Sequence, residues 1–99
     1  MIDFRVSPEV ASDLEEIWDF IAKDNQAAAN QCIAQILEVF KRLVDMPRMG
    51  RQRDDLSAGL RSYSHGSYVI TYRIRGEYIE IGRVVHGARN LYAIYHRDN

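Results

Sequence analysis

Residues 60–90 constrain the fold of this chain more than any other part of it. Three runs rich in β-branched and aromatic residues follow one another there, at residues 60–64, 68–74 and 78–85. Such residues fit a pleated sheet. A short connector with a glycine separates each pair of runs, and glycine supplies the positive φ that a tight hairpin requires. The pattern predicts an antiparallel meander of three strands.

Both faces of this predicted sheet carry apolar side chains. In the middle run one face is predicted to hold Tyr68, Ile70, Tyr72 and Ile74. In the last run the alternation predicts a shared face for Ile79, Ile81, Arg83 and Val85. Helices can cover only one of the two faces. The other must meet a C-terminal segment, a second chain or a partner.

Two amphipathic helices are predicted ahead of the meander. After a short strand at residues 3–6, Ser7 and Pro8 are typical of a helix start, and apolar residues at steps of three and four continue to about residue 23. Asn25 suits the N-cap of a second helix that ends near residue 45, before Pro47. The short link between the helices predicts an antiparallel pair. We therefore expect an α+β fold, β-α-α-β-β-β, with a helical hairpin packed on a small antiparallel sheet.

Individual side chains lead to further expectations. Trp18 lies at helical spacing and is expected in the core, whereas Asp13 is expected on the solvated surface of the same helix. Residues 48–59 form a polar connector, which is either a solvated loop with local ion pairs or the arginine-bearing rim of a binding surface. Arg83 has apolar neighbours of the same parity. It either pairs with an acidic side chain or faces a partner, because an unpaired buried charge is unfavourable.

The charges are divided unevenly along the chain. Residues 1–46 hold four basic and nine acidic side chains, and residues 47–99 hold nine basic and five acidic ones, which together give the 13 and 14 of the whole sequence. The net charges of −5 and +4 favour an anionic or acidic partner on the sheet side. The positive excess is too small to imply strong non-specific binding to nucleic acid.

The composition also excludes several classes of protein. The 99 residues suit a single domain, expected over residues 1–99, and no run of about 18 apolar residues is present to span a membrane. The N-terminus lacks an apolar signal region, and the single cysteine, Cys32, cannot form an internal disulfide, so we expect a cytoplasmic protein. No phosphate-binding loop or zinc-ligand spacing occurs, so no cofactor or metal is expected.

Four motifs follow one another in an order and spacing that are specific when taken together. They are MPxMGR at residues 46–51, GLRS at 59–62, YxIxYR at 68–73 and RVVHGxR at 83–89. With the β-α-α-β-β-β order, they resemble the ParE branch of the RelE/ParE toxin superfamily over nearly the whole chain. The resemblance implies that superfamily's fold and a type II toxin, with roles in growth arrest and plasmid stabilisation.

The same resemblance implies the partners. The toxin is expected to form a hetero-oligomer with a cognate antitoxin, a ParD-like or other small DNA-binding protein whose C-terminal helical arm wraps it. That arm is expected to place an apolar helix on the uncovered sheet face or across the helical hairpin, with acidic side chains meeting Arg61, Arg73 or Arg83. The toxin itself is not expected to bind DNA sequence-specifically or to bind a membrane.

Two functions from different classes remain open within this superfamily. The ParE branch implies inhibition of DNA gyrase by binding, without chemistry, whereas the RelE branch cleaves messenger RNA in the ribosomal A site. Such cleavage needs a proton acceptor, a proton donor and positive charge at the phosphate. The only lysines, Lys23 and Lys41, fall on predicted helices. The RVVHGxR ending is the ParE pattern, so we favour gyrase inhibition and no enzymatic activity.

Candidate residues accompany each alternative. For a nuclease, the candidates are Arg61, Arg83, His86, Tyr95 and His96. For contact with the antitoxin or gyrase, they are Arg61, Arg73, Arg83, His86, Arg89 and Tyr92.

Overall fold

The computed structural model describes residues 3–87 and 89–96 of the chain. The elements in order are β1 (Asp3–Val6), α1 (Pro8–Ala22), α2 (Gln26–Asp45), β2 (Arg51–Gln52), β3 (Arg61–His65), β4 (Tyr68–Arg75), β5 (Tyr78–His86) and α3 (Leu91–Tyr95). The predicted α+β class and the β-α-α-β-β-β order are confirmed. The sequence did not predict β2, because two residues are too few to carry an alternation of side chains.

The helical hairpin begins and turns where the sequence indicated. Asn25 caps α2 as predicted, since its Oδ1 accepts a hydrogen bond from the Ala28 N–H at 3.0 Å. Ser7 precedes α1 with an extended backbone, but its side chain does not cap the helix. The Ser7 hydroxyl instead donates to the carbonyl of Gly82 at 2.8 Å and so ties the start of α1 to β5.

The five strands form one sheet in the order β1-β5-β4-β3-β2. The predicted antiparallel meander is β3-β4-β5. β1 joins parallel to β5, from Asp3 opposite Tyr78 to Val6 opposite Ile81, so the sheet is mixed rather than antiparallel throughout. The reason is connectivity: β1 leads into the helical hairpin, and no tight turn forces it to run antiparallel to its neighbour.

A β-bulge at Gly82 changes which residues of β5 face the helices. Thr71 of β4 lies opposite Arg83, but the next residue, Tyr72, lies opposite Ile81, and Gly82 is left unpaired. An extra residue reverses the alternation of side chains beyond it. Val84 therefore joins the core with Ile81, and the prediction that one parity continues unbroken to Val85 is wrong.

The core lies between the helical hairpin and one face of the sheet. It contains Val10, Ile17, Ile36, Val39, Phe40, Leu43, Ile70, Tyr72, Ile79, Ile81 and Val84. The expectation that Trp18 lies in this core is wrong, because the side chain is only half-buried. Position 18 sits at the edge of the apolar stripe, where the indole Nε1–H donates to Asn30 Oδ1 at 2.8 Å across the hairpin.

The second face of the sheet is partly covered by the C-terminal segment. Thr71 points to this face and is fully buried, and its Oγ1 shares a 2.5 Å hydrogen bond with the Tyr95 hydroxyl of α3. A C-terminal segment was one of the three coverings that the sequence left open.

The described residues contain no helix that is long and apolar enough to cross a bilayer. Within the same residues, no group of three or more His, Cys, Asp or Glu side chains is arranged to hold a metal ion.

Candidate functional site

Arg83 forms an ion pair with Asp13 of α1. Its Nε donates to Asp13 Oδ2 at 2.8 Å and its Nη2 to Oδ1 at 2.9 Å, so the pair is bidentate. Asp13 is only 4% exposed. The expectation that Asp13 lies in solvent is therefore wrong: three residues from Val10 and four from Ile17, it falls on the buried face of the helix. Of the two possibilities left open for Arg83, the acidic pairing is confirmed.

The Asp13 carboxylate also accepts a backbone hydrogen bond at the open edge of the sheet. β1 ends opposite Ile81, so β5 continues past Gly82 without a neighbouring strand on that side. There Asp13 Oδ2 also accepts the backbone N–H of Val84 at 2.9 Å. The hydrogen bond from Asp13 raises the pKa of Arg83, against the opposing effect of burial. Arg83 thus stabilises the packing of α1 against β5. Its role in binding a partner stays a prediction.

The MPxMGR motif forms a turn around the buried phenol of Tyr72. The Tyr72 hydroxyl donates to the Pro47 carbonyl at 2.7 Å and accepts the Gly50 N–H at 2.8 Å. Burial raises the pKa of Tyr72, although its contact with Gly50 and the charge of Arg61 act in the opposite direction. Arg61 Nη1 donates to the Gly50 carbonyl at 2.7 Å. Three of the motifs that carried the resemblance, MPxMGR, GLRS and YxIxYR, therefore meet in one hydrogen-bonded turn.

Arg73 is tied to the connector between β2 and β3. Its Nη2 donates to the Ser57 hydroxyl and its Nε to the Ala58 carbonyl at 3.3 Å. In the same connector Arg53 makes a bidentate pair with Asp55, with both distances at 3.1 Å. Hydrogen bonding from Arg53 lowers the pKa of Asp55. This local ion pair agrees with a solvated loop, and the alternative of a binding rim stays a prediction.

The C-terminal candidates are anchored through α3. Burial raises the pKa of Tyr95, which lies over Thr71. His96 Nε2 donates to the Asp55 carbonyl at 3.2 Å, and the ring of Tyr92 stacks on that of His96 with a centroid distance of 3.9 Å. Tyr92 and His96 are both exposed, but the ring of His96 is held by the Asp55 carbonyl, so Tyr92 is the one of these three side chains best placed to touch a partner.

An apolar groove runs between α1 and the end of β5, and we call it the α1–β5 groove. It encloses about 260 Å³. Its apolar lining consists of Ile17, Phe20, Tyr68, Val84 and Val85, and its polar lining of Asp13, Glu16, His86 and Arg89. The ring of His86 meets that of Tyr68 edge-on at 5.7 Å. The RVVHGxR motif had already pointed to His86 and Arg89 as contact residues, but no sequence motif pointed to Phe20.

The five nuclease candidates do not lie together. Arg83 and Tyr95 line one cavity of about 380 Å³ on the second face of the sheet, with Arg73 nearby and with Glu9 and Glu80 also in its wall. The other three candidates lie elsewhere: Arg61 on the Gly50 turn, His86 in the α1–β5 groove and His96 against the connector carbonyl. Glu9 and Glu80 offset the charges of Arg73 and Arg83, which line the same cavity, so its wall carries no net positive charge for a phosphate.

Comparison with known proteins supports the family suggested by the motifs. The model of the family described as "ParE toxin of type II toxin-antitoxin system, parDE" matches residues 4–91. Toxin ParE3 of Caulobacter vibrioides is 36% identical over 85 residues, which cover 85% of each chain. Toxin ParE1 of Mycobacterium tuberculosis is 35% identical over 86 residues, covering 84% of this chain and 87% of the relative.

A solved structure shows the same fold. The "Chromosomal ParDE TA system from P. aeruginosa" superposes with a TM-score of 0.72 over 87% of this chain and 96% of its own, at 22% identity. Sequence motifs, family match and fold agree, and this chain belongs to the ParE toxin family of type II toxin–antitoxin systems.

Proposed function

We propose that this toxin inhibits DNA gyrase by binding to it, and that a cognate antitoxin neutralises the toxin. The resemblance to the ParE branch implies gyrase as the target. The observation that carries the proposal is the dispersal of the candidate nuclease residues: among the five, only Arg83 and Tyr95 share a cavity. Because these candidates do not converge within residues 3–87 and 89–96, we favour action through the surface of the toxin over catalysis.

The two residues that share this cavity are poorly suited to RNA cleavage. Burial raises the pKa of Tyr95, so its phenol stays protonated at neutral pH and is a weak general base. The guanidinium of Arg83 is held by both oxygens of Asp13. Stabilising a phosphorane requires a donor aimed at the developing charge, and this donor is already aimed at a carboxylate.

The antitoxin is proposed as a stable partner in a hetero-oligomer. The name of the P. aeruginosa structure describes a ParDE system, which joins a toxin of this fold to an antitoxin. In the present chain, the basic half of the sequence and the exposed Arg89 and Tyr92 supply charge and aromatic surface for contact with such partners.

A pair of assays with the purified chain tests this proposal. In a DNA supercoiling assay the chain should inhibit gyrase, and addition of the antitoxin encoded beside it should restore activity. In a translation reaction, the messenger RNA should remain intact on the ribosome. Site-specific cuts in the message with unaffected supercoiling would establish the RelE-like alternative.

The variants for these assays follow from the contacts. Reversing the charge of Arg83 breaks its ion pair with Asp13. A loss of inhibition in Arg83→Glu could therefore come from lost folding as well as from lost binding. Arg89→Glu and Tyr92→Ala alter exposed side chains instead. Each should weaken gyrase inhibition or antitoxin binding while the far-UV circular dichroism and the unfolding midpoint stay unchanged. If both variants retained full inhibition and full affinity, these two residues would not be contact residues.

A further inference from the structure

β1 is an edge strand with one open side. In the sheet order β1-β5-β4-β3-β2 it pairs with β5, and within the described residues no strand lies on its other side. Phe4 is half-buried and meets Phe40 of α2 edge-on at 5.4 Å. The other three residues of the strand, Asp3, Arg5 and Val6, are exposed. An exposed edge strand is a template for pairing with another chain.

The backbone groups of β1 alternate between its two sides. The Ser7 N–H continues the ladder and donates to the Ile81 carbonyl at 3.0 Å, so the backbone groups of Arg5 also face β5. Those of Phe4 therefore face the open side. The Phe4 N–H donates there to the carboxylate of the preceding residue, Asp3, at 2.7 Å. This carboxylate thus satisfies a donor that no strand in the described part of the chain reaches.

β1 also carries two opposite charges that form no ion pair within the described residues. Asp3 and Arg5 are two positions apart, so both side chains project from the face of the sheet away from the helices. The Arg5 guanidinium lies over the ring of Tyr78, 4.3 Å from its centroid, and is held beside the strand. Glu80, which lies opposite Arg5, is already paired with Arg75 at 3.0 Å. An anionic and a cationic side chain therefore stand side by side on an open strand.

These two charges are complementary to those of a second copy of the same strand. Two edge strands related by a two-fold axis run antiparallel. With Phe4 of one copy opposite Phe4 of the other, the two residues exchange backbone hydrogen bonds. Each Asp3 then lies opposite an Arg5, in the type of pair whose Cα atoms are only about 4.5 Å apart. The carboxylate released by the Phe4 N–H meets a guanidinium, so neither donor loses its acceptor.

Other registers of the same two strands are less favourable. Centring the pair on Arg5 or on Asp3 would place like charges opposite each other, which destabilises a pair of strands. Centring it on Val6 would place Phe4 opposite Pro8, the first residue of α1, so little strand would remain to pair. The charges and the helix start therefore select the register about Phe4.

We propose that two copies of this chain associate through their β1 edges, antiparallel about Phe4, with two ion pairs between Asp3 of one copy and Arg5 of the other. The two five-stranded sheets then become continuous. The inference goes beyond the proposed function, because it needs neither gyrase nor the antitoxin. The contact is small, so the association is weak and depends on concentration.

Sedimentation velocity of the purified chain, from about 10 to about 500 µM, tests this association. The unmodified chain should pass from monomer to dimer within this range. Arg5→Glu should weaken the dimer at least roughly tenfold, because like charges replace both ion pairs. Arg48→Glu is the matched control, since it makes the same change of charge on an exposed residue near β2, at the opposite edge of the sheet. It should alter the dissociation constant by less than about twofold.

An exchange of the two charges separates specific pairing from a general effect of charge. Asp3→Arg combined with Arg5→Asp keeps both ion pairs in the opposite sense. The combined variant should restore the dissociation constant to within about threefold of that of the unmodified chain. Far-UV circular dichroism and the unfolding midpoint establish that each variant is folded.

Disulfide trapping tests the register. In chains that lack the native thiol through Cys32→Ser, one chain carrying Asp3→Cys is mixed with another carrying Arg5→Cys, and the mixture is treated with oxidised glutathione. The proposed register brings these two positions within disulfide range and keeps the second ion pair, so a mixed covalent dimer should form. Arg5→Cys alone should cross-link far less, because position 5 does not face position 5.

Four results would overturn the inference. They are an unmodified chain that stays monomeric over the whole range, a dimer that Arg5→Glu leaves unchanged, a folded charge-exchange variant that does not recover the dimer, and preferential cross-linking of Arg5→Cys with itself. If the chain dimerised as described but left DNA supercoiling unaffected, the gyrase proposal alone would fail.

Discussion

Removal of the Asp13 carboxylate should destabilise the fold strongly, although the residue lies on a helix rich in acidic side chains. Asp13 accepts two hydrogen bonds from the Arg83 guanidinium and one from the Val84 backbone N–H. In Asp13→Ala all three donors lose their acceptor at once. Only 18% of the Arg83 side chain is exposed, so water can replace these contacts in part but not fully.

The expected loss follows from these contacts. Leaving a buried backbone donor unsatisfied costs about 1–3 kcal/mol, and breaking a buried ion pair by removing one partner costs about 3–5 kcal/mol. Because part of Arg83 reaches water and the two losses share one carboxylate, we expect a total below the sum of these ranges, about 3 kcal/mol. A domain of 99 residues is stable by about 5–15 kcal/mol. The substitution would therefore remove roughly a fifth to three fifths of the free energy of unfolding.

Urea denaturation at pH 7, followed by circular dichroism, measures this loss. Asp13→Asn keeps an oxygen that can accept from Val84 but removes the ionic contact, so it should lose only about half as much stability. Asp19→Ala is the control, since Asp19 is exposed on the same helix and should change stability by less than about 0.5 kcal/mol. A loss below about 1 kcal/mol for Asp13→Ala would refute the reasoning, because the carboxylate would then not be holding α1 to β5.

Three further predictions follow from the contacts of the turn, the connector and α3. Gly50→Ala should cost about 3 kcal/mol in urea denaturation, because the new Cβ would lie 2.6 Å from the Tyr72 hydroxyl; a loss below about 0.5 kcal/mol would contradict the tight packing. In an NMR titration the pKa of the Asp55 carboxyl should lie below its ordinary value and rise in Arg53→Gln, whereas equal values would show that the pair is absent in solution. Burial raises the pKa of Tyr95, so its contribution to stability is present below the ordinary tyrosine pKa of about 10 and is lost as the pH rises through the folded value. When the pH is raised from about 9 to about 11, the free energy of unfolding of Tyr95→Phe should therefore fall by less than that of the unmodified chain. An equal fall in both chains would contradict this.

Local patterns predicted the elements well, because local interactions determine them. The bounds of α2 followed from the Asn25 cap and the proline after its end, and the capping hydrogen bond forms as expected. The meander followed from alternation and from the glycines of its turns. Gly66 and Gly76 have φ values of 57° and 60°, in the region where glycine is favoured.

The candidate site depended on contacts that the sequence does not encode locally. Arg83 and Asp13 are 70 residues apart, so the sequence could indicate an acidic partner but not which one. A glycine inside a strand, such as Gly82, is a sign of a bulge, but alternation alone did not include it, and the single unpaired residue reversed the predicted faces beyond it. Phe20 lies outside the apolar stripe that predicted α1. An exposed aromatic on a helix is itself a signal of a binding surface, but only the fold shows that a groove lies beside it.

The central claim is that this toxin acts by binding, without breaking a bond, and a titration tests it most directly. A fixed amount of gyrase is incubated with increasing amounts of the purified chain, and the remaining supercoiling rate is measured at several incubation times. Binding predicts that inhibition saturates at a fixed ratio of toxin to gyrase and does not grow with time once equilibrium is reached. Progressive inactivation by toxin far below the gyrase concentration would contradict the account, because only a catalyst can act repeatedly.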